Sequence, residues 1–225
     1  MDAYQIAQKK RALRQIAMTI VFFAVIIGGW FFPYLGYFII ACMIAGLSIA
    51  FFQGRKWCDW YCPRGSFFDV LAKPVSPKKP IPPLVKTLWF RLVIALVLFA
   101  LMITQIVRRW PDFAAIGLFF VVLLTVTSTI GFVLAIFFHQ RIWCTVCPIG
   151  TFSHVIGRRK KPLFIDSKDC TSCTLCEKVC PMHIAPHQYK KDGVEKIIEG
   201  DCVKCDLCIA RCPQKTLSRS KGEGS

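Results

Sequence analysis

Four long apolar runs alternate with short polar segments over the first two thirds of the chain. Each run approaches the roughly 20 apolar residues that a helix needs to cross a lipid bilayer. A turn near Pro33 separates the first two runs, and the segment from Arg108 to Phe113 separates the last two. The pattern predicts two transmembrane hairpins, with helices at Ile16 to Phe32, Tyr34 to Phe52, Leu88 to Val107 and Ala114 to Phe138.

The composition changes beyond the fourth run, where the chain becomes polar and rich in cysteine from Leu163 to about Leu217. We predict a basic N-terminal segment at 1–15, a four-helix transmembrane domain at 16–157, a small polar domain at 158–217 and a disordered tail at 218–225. A hydrophobic content of 55% in 225 residues fits a small membrane domain with a polar appendage.

The net charge of +16 comes from basic residues that cluster at the ends of the apolar runs. There they set membrane topology, so no nucleic-acid partner is expected. The side that carries the cysteine motifs holds most of them, whereas the basic residues on the opposite side are Arg108 and Arg109. The positive-inside rule places both termini and the cysteine motifs on the cytoplasmic side of a multi-pass protein of the cytoplasmic (inner) membrane.

Twelve of the thirteen cysteines fall in CxxC or CxxxC groups, which is the spacing of metal ligands. The alternative is the disulfide framework of a secreted protein, and the ligand spacing argues against it. We therefore expect a reducing compartment. Cys42 stands alone in the second apolar run and is expected to be a small buried residue.

Two copies of one motif, CxxCxxCxxxCP, lie in the polar domain. The doubled motif resembles the bacterial ferredoxins with two [4Fe-4S] clusters, in which the fourth cysteine of each run binds the other cluster. A pair of zinc sites is the alternative, but zinc does not require eight cysteines in this order with Pro after each fourth. The resemblance implies Cys170, Cys173, Cys176 and Cys212 as the ligands of cluster 1, and Cys202, Cys205, Cys208 and Cys180 as those of cluster 2.

The polar domain is also expected to contain strands. Tyr189 to Ile198 is predicted to form two short strands about a turn at Asp192 and Gly193, which suits the ferredoxin fold. The predicted fold class is therefore a membrane all-α domain, with four transmembrane helices in two pseudo-symmetric hairpins, plus a small α+β ferredoxin-like domain.

A second repeated motif follows each hairpin: residues 57–65 read WCDWYCPRG, and residues 143–150 read WCTVCPIG. Its four cysteines would complete one tetrahedral metal site or one [4Fe-4S] cluster if a pseudo-two-fold axis joined the two pairs. The Pro and Gly of each copy mark a sharp turn that aims backbone amides at thiolate sulfur. The predicted ligands are Cys58, Cys62, Cys144 and Cys147.

Three interpretations of these four membrane cysteines stay open. They are a shared iron-sulfur cluster at the membrane surface, a structural zinc site, and free thiols or a disulfide. The iron-sulfur cluster is favoured, and the reducing compartment disfavours the disulfide.

The whole arrangement resembles a known family. Four membrane helices, two WC-type motifs and a C-terminal double-cluster domain are similar to the NapH-type quinol dehydrogenase membrane subunits, relatives of the NosR and CcoG polyferredoxins. The similarity covers nearly the whole chain, but the second WC motif is one residue shorter, CxxCP. It implies electron exchange between membrane quinone and a redox partner, which is another subunit of an oxidoreductase complex or a soluble electron-transfer protein.

Quinone chemistry moves protons as well as electrons, so an ionisable pair is expected near the membrane cysteines. Aligning the repeats on Cys62 and Cys147 places Asp69 against His154. We predict that these side chains approach each other and form a proton relay, with solvated interfacial residues as the alternative. His139 lies at the end of a predicted span, so the helices hold no pair of histidine ligands for a haem.

Two other functions are kept as alternatives. One is a CcoG-like reductase or assembly factor for metal-cofactor maturation, and the other is a ferredoxin-bearing membrane anchor with a structural zinc site. Lys168, Lys178 and Lys204 lie near the cysteines of the polar domain and would steer an acidic partner or form solvated surface charge.

Overall fold

The computed structural model describes residues 2–77, 79–191 and 193–220. The described chain is mostly helical, with one small three-stranded sheet. In chain order the elements are α1 (Ala3–Phe31), a 3-10 turn (Pro33–Tyr37), α2 (Phe38–Gln53), α3 (Trp57–Trp60), α4 (Pro63–Phe67), a π-helical turn (Phe68–Ala72), α5 (Pro83–Lys86), α6 (Leu88–Arg109), α7 (Phe113–Phe137), α8 (Ile142–Val146), α9 (Pro148–Gly157), β1 (Leu163–Asp166), α10 (Leu175–Lys178), a 3-10 turn (Pro186–Tyr189), β2 (Val194–Ile197), α11 (Leu207–Arg211) and β3 (Leu217–Ser218).

Four of these helices are long and apolar enough to cross a membrane, namely α1, α2 with its preceding turn, α6 and α7. Their lipid-facing surfaces expose large apolar side chains, such as Ile27 and Leu96, which a lipid bilayer would cover. The four predicted spans are therefore confirmed, and the chain has the helices of a membrane protein.

The first helix begins well before the apolar run. It continues without a break from Ala3 to Phe31, because residues 3–15 contain strong helix formers and neither Gly nor Pro. Arg11 and Gln15 on this extension are buried. The basic N-terminal segment is thus part of the packed structure and continues directly into the first span.

Each WC motif folds as two short helices with a break at the second cysteine. Cys62 and Cys147 have extended backbone conformations, with ψ of 112° and 134°. Pro63 and Pro148 then occupy the first position of α4 and of α9, where a proline lacks no hydrogen bond that the helix needs. The same Cys-Pro pattern therefore produces the same local fold in both halves of the membrane domain.

The polar domain is built on an antiparallel sheet of order β2-β1-β3. Its core contains Leu163, Ile165, Ile197 and Leu217, packed against cysteines of both motifs. The predicted hairpin was wrong, because β2 pairs with β1 and the segment ending at Tyr189 is a 3-10 turn. The predicted turn residue Asp192 lies outside the described residues.

The tail prediction was wrong at its start, since Ser218 belongs to β3. Arg219 donates a hydrogen bond of 2.6 Å to Asp206, which ties the chain down beyond the last cysteine. Residues 221–225 of the predicted tail lie outside the described residues.

Small residues let the two hairpins meet at the end opposite the cysteines. A Cβ atom on Gly36 would overlap the carbonyl group of Gly117, and one on Gly117 would overlap the carbonyl group of Pro33. The 3-10 turn and the first turns of α7 therefore pack backbone to backbone, as small residues allow in membrane helices.

We predict that Gly117→Val destabilises the membrane domain, because overpacking of this kind costs about 1–3 kcal/mol. The measurement is thermal unfolding of the purified chain in detergent. Ala24→Val is the matched control, since Ala24 is an exposed residue of α1. An equal unfolding temperature in the two variants would contradict the close backbone packing.

Candidate functional site

The four cysteines of the WC motifs line a single pocket. Cys58 and Cys62 come from the first hairpin, and Cys144 and Cys147 from the second. The pocket encloses about 360 Å³ between the short helices of the two motifs. The structure thus brings together the two half-sites that sequence symmetry paired, and neither half provides more than two thiols.

Two arginines connect the halves across this pocket. Arg55 precedes the first motif, and its Nη2 donates to the carbonyl oxygen of Cys144. Arg141 precedes the second motif, and its Nη1 donates to the carbonyl oxygen of Cys58 at 2.8 Å. Each arginine therefore binds the backbone of the opposite motif, which is the exchange that a pseudo-two-fold axis produces.

The glycine of each motif makes room for this exchange. A Cβ atom on Gly65 would lie 2.7 Å from the carbonyl oxygen of Cys58, and one on Gly150 would overlap that of Cys144. Only glycine lets α4 and α9 approach the carbonyl groups that the arginines bind.

Buried carboxylates neutralise Arg141. Its Nη2 donates to Asp59 at 2.8 Å and to Asp69 at 2.5 Å, and its Nε donates to Asp69 at 2.8 Å. Arg11 of α1 binds the same two carboxylates at 2.6 and 2.5 Å, and Gln15 donates to Asp69 at 2.6 Å. Burial alone would raise the pKa of Asp69, but Arg141, Arg11 and Gln15 hold it well below its usual range.

Arg55 is neutralised differently, by a residue of the polar domain. Asp201 accepts from Arg55 at 2.5 Å and from Arg91 of α6 at 2.7 and 2.8 Å, and it lies 3.1 Å from Nδ1 of His154. Burial opposes ionisation, but His154 and the two arginines keep the pKa of Asp201 well below its usual range. Because Asp201 directly precedes Cys202, this network fixes the polar domain on the membrane domain.

The predicted approach of Asp69 and His154 was wrong. Asp69 binds Arg141 and Arg11, whereas His154 binds Asp201 and Arg91. A two-fold axis brings equivalent residues into contact only where they lie close to the axis. Asp69 and His154 instead belong to two separate hydrogen-bond networks. Their alignment reflects equivalent positions in the repeats and not a contact.

The cysteines of the polar domain line two further pockets. One pocket of about 370 Å³ is lined by Cys170, Cys173, Cys176 and Cys212. The other, of about 360 Å³, is lined by Cys180, Cys202, Cys205 and Cys208. These are the groupings that the ferredoxin resemblance implied, with each fourth cysteine crossing to the other set.

Each of the three thiol pockets is lined by four cysteines. In the described parts of the chain, no three His, Cys, Asp or Glu side chains converge closely enough to hold a single metal ion. Burial raises the pKa values of Cys144 and Cys180 to about 11, so these thiols need a bound cation to stay ionised.

The membrane pocket adjoins one of the two pockets of the polar domain. Cys58 packs with Met182 and Val203, and the same apolar cluster includes Cys180 and Cys205. The set assigned to cluster 2 therefore lies next to the membrane cysteines. In the set assigned to cluster 1, Cys170, Cys176 and Cys212 pack against the core of the sheet, and Cys173 is exposed.

Lys204 sits inside the structure and not on its surface. Its side chain is 3% exposed, and Trp60 donates to its carbonyl oxygen at 3.5 Å. The expectation that Lys204 steers a partner was therefore wrong, because Lys204 lies where the polar domain meets the first WC motif. Lys168 and Lys178 are exposed.

A large apolar cavity shares a wall with the membrane thiol pocket. Its space, which is partly open to the surroundings, is about 910 Å³, and its apolar walls come from α1, α2, α6 and α7, with Phe22, Phe38 and Phe99 among them. Sequence reasoning missed this cavity, because a residue that faces a cavity has the same hydropathy as one that faces lipid. Cys42, expected to be buried among apolar residues, contributes to its wall. Both pockets are lined by Cys62, Arg64, Trp143, Cys147 and Ile149.

The cavity wall provides one charge and no carboxylate or histidine among the described residues that line it. The charge belongs to Arg64. Neither Asp69 nor His154 reaches the wall, so the residues predicted for proton transfer lie outside the cavity.

Two family models match the chain. A model described as a 4Fe-4S binding domain matches residues 35–82 and 113–164, so each matched stretch contains one WC motif. A model described as a 4Fe-4S dicluster domain matches residues 169–217, which contain the doubled ferredoxin motif. The chain therefore carries 4Fe-4S cluster-binding domains, and these indicate iron-sulfur electron transfer.

Two proteins of Methanocaldococcus jannaschii, both named as uncharacterized, are similar to the chain. One is 27% identical over 197 residues, which are 78% of this chain and 76% of the relative. The other is 27% identical over 160 residues, which are 65% of this chain and 66% of the relative. No solved structure matches.

We predict that Arg141→Met lowers the free energy of unfolding by about 3–5 kcal/mol, because it leaves Asp59 and Asp69 with one buried cation instead of two. Thermal unfolding in detergent measures the loss. Arg158→Met is the matched control, since Arg158 is exposed. A similar stability of the two variants would contradict a structural role for Arg141.

Proposed function

We propose that the chain is a membrane subunit that passes electrons between a quinone and a redox partner through iron-sulfur clusters. The observation that carries the proposal is the wall shared by the 910 Å³ cavity and the pocket of the membrane cysteines. A ligand in this cavity lies directly against Cys62 and Cys147.

The shape and chemistry of the cavity suit a quinone. Ligand cavities of a few hundred to about 1,000 Å³ with apolar walls and few polar groups are typical of small-molecule sites. A quinone combines a flat ring that bears two carbonyl oxygens with a long apolar tail. α2 and α6 both pack on α9, and residues of both helices line the cavity. Under this proposal the tail leaves the cavity between α2 and α6 and reaches the lipid.

The three thiol pockets supply the ligands of three clusters under this proposal. When bound, the clusters supply one-electron transfer at low or moderate potential. The chain orders the sites by direct contact: the cavity touches the membrane cysteines, these pack against the set of Cys180 and Cys205, and the remaining set includes the exposed Cys173. Arg55, Arg91 and Asp201 hold this order fixed.

The partner would meet the set that includes the exposed Cys173. Lys168 and Lys178 are exposed next to the cysteine run that begins at Cys170, and they suit an acidic surface of another subunit or of a soluble electron carrier. The positive-inside rule supports a cytoplasmic location for this surface in an inner membrane. The NapH-type resemblance agrees with both points.

The test uses the full chain in lipid nanodiscs under anaerobic conditions. The chain is reduced with dithionite, freed of excess reductant and mixed with a short-tailed naphthoquinone, and the visible absorbance and EPR signals of the clusters follow reoxidation. We expect fast reoxidation by the quinone in the wild type. In Cys144→Ala we expect reoxidation to slow at least about tenfold, because the membrane site loses a ligand.

Val126→Ala is the control, since Val126 is exposed on α7 and lines neither the cavity nor the thiol pocket. It should reoxidise like the wild type. Equal rates in Cys144→Ala and the wild type would contradict the proposed path. Reoxidation by a metal ion but not by the quinone would replace the proposal with a reductase of metal-cofactor maturation.

A further inference from the structure

The two halves of the cavity wall differ at one pair of equivalent positions. Arg64 follows the Cys62-Pro63 pair, and Ile149 follows the Cys147-Pro148 pair, so they occupy equivalent positions in the two repeats. Both residues line the cavity and the thiol pocket. The repeat therefore puts a cation on one side of an apolar wall and an aliphatic side chain on the other.

Arg64 has hydrogen-bond donors without a protein acceptor. Its Nε and Nη2 atoms are fully buried, and within the described residues neither has a partner. The guanidinium carbon lies 4.6 Å from the centre of the Trp143 ring and 6.0 Å from that of Phe68. These contacts hold the group in place but accept no conventional hydrogen bond.

The other buried arginines around this site are all neutralised by carboxylates. Arg11 and Arg141 share Asp59 and Asp69, while Arg55 and Arg91 share Asp201. Within the described residues these four arginines are each paired with a carboxylate, and Arg64 is not. A buried cationic donor without an acceptor is costly, so its position beside a cavity points to an acceptor that is not part of this chain.

We infer that Arg64 is the headgroup anchor of the cavity and donates to a ring carbonyl oxygen of the bound quinone. The inference rests on the proposed function, and it adds the residue that selects a carbonyl-bearing ring over a purely apolar molecule. Specificity of this kind arises when a site contains a buried donor that only the correct ligand satisfies. Ile149 and the aromatic side chains of the wall contact the ring and the tail.

A second role for Arg64 makes a different prediction. If its guanidinium only balances the charge of thiolates in the adjoining pocket, the affinity for a quinone will not depend on it. The guanidinium carries five N–H donors in a fixed fork, so contact with the thiol pocket does not use up the group. The affinity of the cavity for two matched ligands separates the roles.

The experiment uses the iron-loaded full chain in nanodiscs and two photoreactive probes with the same alkyl tail. One probe carries an azido-naphthoquinone ring, and the other an azido-naphthalene ring without oxygen. Cross-linking to peptides of α2 and α6 is quantified by mass spectrometry over a range of probe concentrations. The variants are Arg64→Gln and Arg64→Lys, and the matched control is Arg14→Gln, because Arg14 also lies over a tryptophan ring but is exposed.

We expect Arg64→Gln to weaken labelling by the quinone probe about tenfold or more and to leave the oxygen-free probe unchanged, as the loss of one charged hydrogen bond predicts. Arg64→Lys, which keeps the charge but not the fork, should fall between. Arg14→Gln should match the wild type. Iron content is measured in each variant, and Arg64→Lys serves as the test variant if Arg64→Gln does not load iron.

Equal quinone labelling in the wild type and the Arg64 variants would overturn the inference and leave the proposed function standing. An equal decrease for both probes would also overturn it, because Arg64 would then only maintain the shape of the cavity. Absence of cavity labelling by the quinone probe in the wild type would overturn the proposed function itself.

Discussion

The reciprocal arginines hold the membrane site together. Arg55 and Arg141 each donate to the carbonyl oxygen of the first cysteine in the opposite repeat. Since each repeat provides only two thiols, a four-thiol site exists only while this exchange keeps the repeats in register. The contact is fully buried, with exposures of 1% and 0% for the two side chains, so each cation requires its own carboxylates.

The carboxylates that pair with the two arginines come from different domains, although the arginines themselves occupy equivalent positions in the repeats. On one side Asp59 and Asp69 come from the membrane domain itself, and α1 adds Arg11. On the other side the first repeat's arginine receives Asp201 from the polar domain. The polar domain therefore completes the charge balance of the membrane site when it docks, and docking places Cys205 and Cys180 next to Cys58. One network thus links the assembly of the site to the contact between the two domains.

The sequence predicts those features that depend on local pattern. Hydropathy located all four spans, and the Pro that follows Cys62 and Cys147 predicted the sharp turns, because both signals lie within a few neighbouring residues. Two cysteine pairs at matching places in the two halves were enough to predict a joint pocket. The unusual motif residue Arg64 was visible in the sequence, but nothing local showed that it lacks a partner.

Features that depend on long-range contact could not be predicted. The alignment of Asp69 with His154 was correct as a repeat equivalence, yet it gave no distance from the axis, and the two side chains bind different arginines. Lys204 resembled a surface charge in the sequence, because its burial comes from a contact with a distant part of the chain. That contact is with Trp60 of the first WC motif. The cavity depends on how four helices are spaced, and helix spacing leaves no mark in hydropathy.

The most direct test of the central claim, that two half-sites from the repeats hold one cluster of the same kind as those of the polar domain, is the metal content of the anaerobically purified full chain. Three [4Fe-4S] clusters require about twelve iron atoms per chain, and we expect that number without bound zinc. About eight iron atoms together with one zinc atom per chain would contradict the account, because the membrane cysteines would then hold a structural ion and the cavity would adjoin no redox centre.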